Sequence, residues 1–458
     1  MRGSTPGEQV TGPDERDVGH PNTRRLATGT LAVLVVATVT SCLADRESAP
    51  STDAAPSAVA APPVGALPSS QATPSQPAGR STAVASPGQA VPSVAPTGAP
   101  APAAPPGRAL PSVAQEALSN AQFAALVARL SEPGGYFDTD NLISNETGYL
   151  NVMDALDALE VRGGAYVGVG PDQNFSYIAR IRPAISFIID VRRDNLLHHL
   201  LLKALIERAP TRVEFLAALH GRAPPADAAS WRSSDIEEIV DYVDRSPADP
   251  ELTAELHDEI AAAVSAFGVP LSHADLATIR RFHRTFVEAG LSLRFTTFGR
   301  PPRPYYPTYR QLVLETDADG DRASYLATAE AYEAVRALQL ANRIVPVVGD
   351  LAGPSALREM AAVLHESAVD LTAVYASNVE FYLWRARTFE RWVDNLRSLP
   401  LGPHAILIRS YFPNAGGNHP SAIPGYYSTQ TLQPVGTLLE GGFSSYWEVV
   451  TRGVVALR

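Results

Sequence analysis

GGAYVGVGPDQNF, residues 163–175, decides the fold expected for this chain. A short apolar run of strand type ends in Gly168-x-Gly170 and is followed by polar residues. A strand that ends in such glycines and leads into a helix is typical of loops that hold nucleotides and cofactors. Glycine lets the backbone approach a ligand that a β-carbon would exclude. The stretch therefore predicts a strand, a ligand loop and a helix.

Short apolar runs alternate with helical patterns along the rest of the chain, which favours an α/β architecture. Five runs are predicted to be strands: residues 165–170, 185–191, 344–350, 371–377 and 404–410. A long, mostly helical stretch, residues 211–343, separates the second run from the third. We therefore expect residues 112–458 to form a Rossmann-like, mostly parallel sheet with a helical insertion at 211–343.

The N-terminal residues have the form of an export signal. Arg24 and Arg25 precede an uncharged run, residues 26–41, which is short for a membrane span. The next residue is Cys42, the only cysteine in the chain. VTSC, residues 39–42, resembles the lipobox of bacterial lipoproteins, in which such a cysteine is lipid-modified. The resemblance implies a signal peptide at residues 1–41 and an extracytoplasmic protein anchored to the membrane through Cys42; a plain cleaved signal or an uncleaved anchor is the alternative.

Residues 42–111 are predicted to be a disordered tether. Ala, Pro, Ser, Thr and Val dominate this stretch and it has no aromatic residue, so it lacks the side chains that build a core. A spacer of this kind suits a domain held away from a membrane. A low-complexity tail without a task, or a site for sugars on Ser and Thr, fits the composition equally.

The charge of the chain excludes several classes of function. The formal net charge is -11, and basic and acidic residues balance before the folded part begins. A nucleic-acid surface needs clustered Lys and Arg, so no nucleic-acid partner is expected. The absence of cysteine after Cys42 excludes disulfides and thiolate metal sites from the domain, and no metal is expected.

The order of glycine loop, helix and strand ending in an acid sharpens the functional prediction. Asp190 lies twenty residues after Gly170, at the end of the second predicted strand, where a carboxylate accepts hydrogen bonds from ribose hydroxyls. With VGD at residues 348–350 and SNVEFY at 377–382, these residues resemble the successive motifs of class I S-adenosylmethionine-dependent methyltransferases. The resemblance covers residues 163–410, broken by the insertion.

This resemblance implies S-adenosylmethionine as the cofactor. It places Gly168 and Gly170 against the methionine part, Asp190 on the ribose and Asp350 near the adenine. The alternative is structural: the glycines make a tight turn between strand and helix, and Asp190 caps a helix that starts near Asn195. The whole chain also resembles a set of exported bacterial lipoproteins that carry segments like GVGPDQNF and DTDNLISNE.

Other polar residues are candidates for the same site. In the methyltransferases, residues after the fourth strand face the methyl acceptor, which implies Asn378 and Glu380 here. Glu146, in the polar segment FDTDNLISNE, is a candidate general acid or base. Asp172 and Asn174 lie at a predicted helix N-terminus, where free N–H groups favour an anionic ligand group. Helix capping and a solvated surface explain these polar residues as well.

Two further segments have predicted roles. FGRPPRPYYPTYR, residues 298–310, is too rich in proline for a helix interior, and the favoured interpretation is a surface loop folded over the insertion. The alternative is a lid over the site, with Arg300 or Arg303 meeting an anionic ligand and the tyrosines stacking on a ring or sugar. His198 and His199 are adjacent on a leucine-rich helix and point about 100° apart, so one is expected to be packed and the other exposed.

Two functions follow as hypotheses. The first is an exported, lipid-anchored protein with a methyltransferase-like domain that binds a nucleoside-type small ligand and transfers a methyl group. The second is a non-catalytic ligand-binding or cell-envelope interaction module on a degenerate Rossmann-like fold. The location counts against methyl transfer, because S-adenosylmethionine is made and kept in the cytoplasm.

Overall fold

The structure is a computed structural model that describes residues 116–457. The predicted signal peptide (1–41), the lipidation site Cys42 and the tether (42–111) lie outside the described residues. Within the part of the chain that the structure describes, no helix is long and apolar enough to cross a bilayer.

Six strands form one sheet, and its order confirms the predicted fold class. The strands are β1 (Ala165–Val169), β2 (Ile185–Asp190), β3 (Ile344–Val348), β4 (Leu371–Ser377), β5 (Leu401–Tyr411) and β6 (Thr429–Pro434). Their order across the sheet is β3-β2-β1-β4-β5-β6. β1 to β5 are parallel, and only β6 is antiparallel to its neighbour. This is the order of the doubly wound Rossmann fold, in which successive strands are added on one side of β1 as far as β3 and then on its other side from β4.

In residues 116–457, fifteen α-helices connect and cover these strands. Before β3 they are α1 (Asn120–Leu130), α2 (Met153–Ala158), α3 (Gln173–Ile181), α4 (Arg193–Arg208), α5 (Arg212–Leu219), α6 (Ile236–Arg245), α7 (Pro250–Ala266), α8 (His273–Ala289), α9 (Tyr309–Val313) and α10 (Ala329–Leu340). After β3 they are α11 (Ala356–Ser367), α12 (Val379–Arg385), α13 (Phe389–Ser398), α14 (Val435–Glu440) and α15 (Tyr446–Thr451). Helices α5 to α10 form the predicted helical insertion between β2 and β3.

The five predicted strands were recognisable because long stretches of them are buried, including β3 at one edge of the sheet. Every residue of β1 and β3 is buried, and only the last residue of β2 is partly exposed. Parallel strands covered on both faces read as continuous apolar runs, which is the pattern found in the sequence.

The sixth strand, β6, was not predicted. Its sequence is TQTLQP, and a run of Thr and Gln does not read as a buried strand. All of its residues except Pro434 are nevertheless buried. Gln430 hydrogen-bonds to Ser410 of β5 and to Glu146, and Gln433 accepts a hydrogen bond from Arg409 of β5. Hydrogen bonds to side chains outside β6 therefore allow its polar residues to be buried.

Buried histidines join α4 to the insertion. His198 and His199 are both buried, so the expectation that one of them is exposed was wrong. The ring of His198 stacks on Phe286 of α8 at a centroid distance of 5.9 Å. His220, at the end of α5, and His283, in α8, are also buried and bond to backbone carbonyl groups.

Candidate functional site

The glycine loop between β1 and α3 is held by a buried amide. An ideal Cβ on Gly168 would lie 1.9 Å from Oδ1 of Asn174, so only glycine fits there. Asn174 accepts a hydrogen bond from the Tyr166 hydroxyl at 2.8 Å and donates to two carbonyl groups of the loop at 2.7 and 2.9 Å. Gly170 has a φ of +85°, which favours glycine. The amide of Asn174 therefore holds the loop together and is not open to a ligand.

Asp190, the predicted ribose acceptor, ends β2 and is already paired. Its two carboxylate oxygens lie 3.0 and 2.7 Å from the guanidinium of Arg192, and one also accepts the Arg192 backbone N–H at 2.9 Å. The same guanidinium donates to the carbonyl groups of Thr139 and Asp140 at 3.0 and 2.8 Å. Because α4 begins at Arg193, Asp190 does not cap a helix starting near Asn195 either.

An N-terminal segment, residues 132–146, crosses the carboxyl edge of the sheet, and we call it the strap. Its first residues donate backbone hydrogen bonds to the carbonyl groups of Val348 at 2.7 Å and Val191 at 2.6 Å, at the ends of β3 and β2. It then passes Gly170, whose ideal Cβ would be 3.4 Å from a strap side chain. It ends at Glu146, beside β4 and β5. The strap thus covers the edge where open α/β sheets bind ligands.

Glu146 is the buried carboxylate at the end of the strap, and its side chain is 1% exposed. It accepts hydrogen bonds from the hydroxyls of Tyr375 at 2.6 Å, Ser410 at 2.5 Å and Ser377. The side-chain amide of Gln430 adds a fourth donor at 3.3 Å. These donors come from the ends of β4 and β5 and the start of β6, so Glu146 is the centre of a polar network at this edge.

Glu315, which follows α9, is a second carboxyl group near Glu146. It accepts a hydrogen bond from the backbone N–H of Gly148. Burial, with a contribution from the charge of Glu146, raises the pKa of Glu315 to about 8. A carboxyl group that keeps its proton at neutral pH beside an acceptor of hydrogen bonds is an arrangement suited to general acid and base chemistry.

The protonation of Glu315 predicts a pH-dependent effect of Glu315→Gln. The folded pKa lies above the unfolded value, so the folded state binds more protons and wild-type stability falls as pH rises from about 4.5 to 8. Gln keeps the acceptor for Gly148 but has no proton to lose. We expect the variant to gain about 2 kcal/mol over the wild type between pH 5.5 and pH 7, measured by urea unfolding. A stability difference that does not change with pH would contradict the raised pKa.

The two residues expected to face a methyl acceptor occupy different surroundings. Asn378 precedes α12, is partly exposed and lies near the hydroxyl of Tyr382. Glu380 is fully buried, and its two carboxylate oxygens accept from Arg409 at 2.6 Å and from the Trp392 indole at 3.1 Å. Glu380 therefore has no free oxygen for an acceptor, and its role in this structure is to neutralise Arg409.

The remaining predicted ligand residues also have partners within the chain. Asp172 is buried and accepts hydrogen bonds from Tyr309 at 3.2 Å and Tyr325 at 3.1 Å, both in the insertion. Burial raises the pKa of Asp172 to about 6. Asp350 accepts the backbone N–H of Ala352 at 2.9 Å. Asp172 thus connects the glycine loop to the insertion and does not cap α3.

Residues 298–310, for which the lid was the alternative interpretation and which we call the lid, lie against the strap. The Phe298 backbone N–H donates to the carbonyl group of Asp138 at 3.3 Å, and Arg300 forms a salt bridge with the same residue. Aromatic rings from the strap, the lid and neighbouring segments meet here, as in the pairs Phe137–Tyr382 at 5.2 Å and Tyr305–Tyr427 at 4.5 Å. We call the following residues the aromatic rim: Phe137, Phe298, Tyr305, Tyr306, Tyr382 and Tyr427.

Comparison with known protein families adds a family but no activity. The chain matches the family described as Domain of unknown function (DUF7790) over residues 142–235 and 278–441, which is more than half of its length. The chain belongs to this family. No curated protein matches it. The DUF7790 segments contain Glu146, the glycine loop, Asp190 and the lid, whereas α6 and α7 lie in the gap between them.

Several residues of the candidate site were not predicted from the sequence. Arg192 had a local signal, because it lies two positions after the proposed ribose acceptor. The hydroxyl groups around Glu146 and the carboxyl group of Glu315 had none, since they reach the site from segments far apart in the sequence. Only the fold brings them together.

Proposed function

We propose that this DUF7790 protein is exported and lipid-anchored, and that its domain binds a nucleoside-type small molecule at the carboxyl edge of the sheet. The aromatic rim is the observation that carries this proposal. Five of the eight exposed large hydrophobic side chains in residues 116–457 lie on the strap, the lid and α12. Clustered exposed rings at the edge where such sheets bind ligands supply a surface on which a base or sugar ring stacks.

Polar groups adjoin this rim. Asn145 is next to Glu146 in the chain and lies near the hydroxyl of Tyr306 in the rim. Ser377 is partly exposed, bonds to Glu146 and has a positive φ of 49°, which is uncommon for a residue other than glycine. Ring-stacking groups beside a few oriented polar groups are typical of small-molecule sites.

The proposed location rests on the sequence alone. The lipobox-like VTSC that ends at Cys42 supports attachment to the membrane, and the Pro-rich residues 42–111 support a spacer. A binding role suits a domain held outside the cytoplasm, because it requires no supply of a cytoplasmic cofactor.

S-adenosylmethionine does not fit the predicted cofactor residues in this conformation. Both oxygens of Asp190 are taken by Arg192, and the strap is bonded to the ends of β2 and β3. The strand order and the position of Asp190 at the end of β2, beside the glycine loop, favour methyl transfer as a second candidate function. For that function, Arg192 would have to release Asp190.

Calorimetric titration of the full-length protein with adenosine, uridine, S-adenosylmethionine and S-adenosylhomocysteine tests both functions. We expect a nucleoside to bind and the binding to be lost in Tyr382→Ala. Leu340→Ala is the matched control, because Leu340 is also exposed but ends α10, just before the start of β3 and so toward the amino edge of the sheet.

The outcomes separate the two sites. If affinity for a nucleoside is lost in Tyr382→Ala and kept in Leu340→Ala, the result supports the aromatic rim as the binding site. Affinity for S-adenosylmethionine that is lost in Asp190→Ala and unaffected by Tyr382→Ala would move the site to the glycine loop and support the methyltransferase function. If none of the four compounds produces heat or a thermal shift, the nucleoside proposal is wrong.

A further inference from the structure

Arginine side chains surround the aromatic rim on two sides. Arg300 and Arg303 belong to the lid, and Arg385 ends α12; all three are exposed. Arg303 lies 5.7 Å from the ring centre of Tyr305, whose ring is 5.1 Å from that of Tyr306. Arg385 lies 5.5 Å from the ring centre of Phe381, whose ring is 5.6 Å from that of Tyr382. The positive charges therefore lie beside the same group of rings, although they come from segments about eighty residues apart.

This local charge contrasts with the rest of the protein. The chain has a formal net charge of -11, but residues 298–310 contain three arginines and no acidic residue. Arg300 is offset by its salt bridge with Asp138. Within residues 116–457, neither Arg303 nor Arg385 forms a salt bridge; Arg303 bonds to the Tyr305 hydroxyl, and Arg385 lies 5.5 Å from the ring centre of Phe381.

Two exposed guanidinium groups beside clustered aromatic rings provide complementary contacts for one kind of ligand. A guanidinium group binds a phosphate through parallel hydrogen bonds, and tyrosine rings stack on a base or sugar. A cationic ligand is disfavoured at the same place, because it would bring like charges together. The sulfonium of S-adenosylmethionine is such a cation.

We propose that the ligand of the aromatic rim is anionic, a ring compound that carries a phosphate, with its ring on Tyr306 and Tyr382 and its phosphate on Arg303 and Arg385. This inference rests on the proposed function and narrows its ligand class. A nucleotide and a phosphorylated sugar share this chemistry. The lid supplies both a ring and a charge, so the same segment orients both parts of the ligand.

Titration of the full-length protein with adenosine, AMP and glucose 1-phosphate tests the inference. We expect AMP, glucose 1-phosphate or both to bind at least about tenfold more tightly than adenosine at low salt, and this advantage to shrink in 0.5 M NaCl. The double variant Arg303→Gln/Arg385→Gln should lose the advantage. Arg162→Gln is the matched control, since Arg162 is exposed and lies before β1, toward the amino edge.

The results distinguish this inference from the proposal on which it rests. Tighter binding of AMP than of glucose 1-phosphate identifies a nucleotide, and the reverse order a phosphorylated sugar; either supports an anionic ligand. Adenosine binding as tightly as AMP, or a phosphate advantage that persists in the double variant, would overturn the inference and leave the nucleoside site intact. If none of the three compounds binds, this inference fails, and the nucleoside proposal fails with it unless uridine binds in the titration described above.

Discussion

Glu380→Ala is expected to lower the free energy of unfolding by about 3–5 kcal/mol, because it leaves the guanidinium of Arg409 buried without its counter-charge. The side chains of Glu380 and Arg409 are both fully buried and lie 2.6 Å apart. Water cannot replace the lost carboxylate, since both partners are inside the domain. Urea unfolding monitored by circular dichroism measures the loss.

Two control variants separate the buried charge from a general effect of substitution. Asp394→Ala removes an exposed carboxylate paired with Arg397 and should cost no more than about 1 kcal/mol. Adding Arg409→Met to Glu380→Ala should recover most of the lost stability, because no charge then remains buried. If Glu380→Ala kept wild-type stability, the explanation based on a buried ion pair would be wrong and a functional role for Glu380 would return.

Acidification from pH 6 to pH 4 is expected to lower the free energy of unfolding by roughly 3 to 6 kcal/mol, mainly because buried histidines must bind protons. Burial lowers the pKa values of His199, His220 and His283 to about 4, and that of His198 well below its usual value. Unfolded histidines titrate near pH 6.5, so over this range the unfolded state binds more protons and stability falls with falling pH.

Two carboxyl groups oppose this change. The raised pKa values of Asp172 and Glu315 make the folded state the better proton acceptor above about pH 4. Each of these groups changes the free energy of unfolding by about 1.4 kcal/mol per pH unit, and the histidines and carboxyl groups act in opposite directions. Because four histidines act against two carboxyl groups, the net effect of acidification is a loss of stability. Equilibrium unfolding at pH 6, 5 and 4 measures the net slope.

His198→Phe isolates the histidine contribution. Within the described residues, neither ring nitrogen of His198 has a hydrogen-bond partner, and the ring packs against Phe282 and Phe286. A phenyl ring removes the unpaired polar atoms, so we expect the variant to be about 1–3 kcal/mol more stable at pH 7 and less sensitive to acid. A slope equal to that of the wild type would show that His198 does not take part in the acid response.

The fold could be predicted from the sequence to the extent that its strands are apolar. The buried strands β1, β2 and β3 read as Val- and Ile-rich runs, whereas β6 consists mainly of Thr and Gln and was missed. Its burial depends on Gln430 meeting Glu146 and Gln433 meeting Arg409. Local patterns carry no information about such pairs.

The candidate site was predicted less completely than the fold. The sequence placed Glu146, Asp190 and the lid at one edge but did not show which groups were free to bind a ligand. Asp190 is held by Arg192, and Glu380 by Arg409, so an acidic residue at the end of a strand or the start of a helix did not mean an open acceptor. The partners that occupy these acids, such as the two arginines and the tyrosines on Asp172, are apparent only in the folded structure.

The course of the strap shows that the homology boundary of this family is not the boundary of its folding unit. The DUF7790 match begins at residue 142, within the strap. A protein truncated there would lose α1 and Glu132, whose carboxylate accepts backbone N–H groups at the start of α11, including those of Ser355 and Ala356 at 2.7 Å. The ends of β2 and β3 would lose the backbone hydrogen bonds of the strap as well. Among the described residues, contact with the body of the protein begins upstream of α1, where the backbone N–H of Leu118 donates to the carbonyl group of Ala341 at 3.0 Å, so a domain cut at residue 142 would be incomplete.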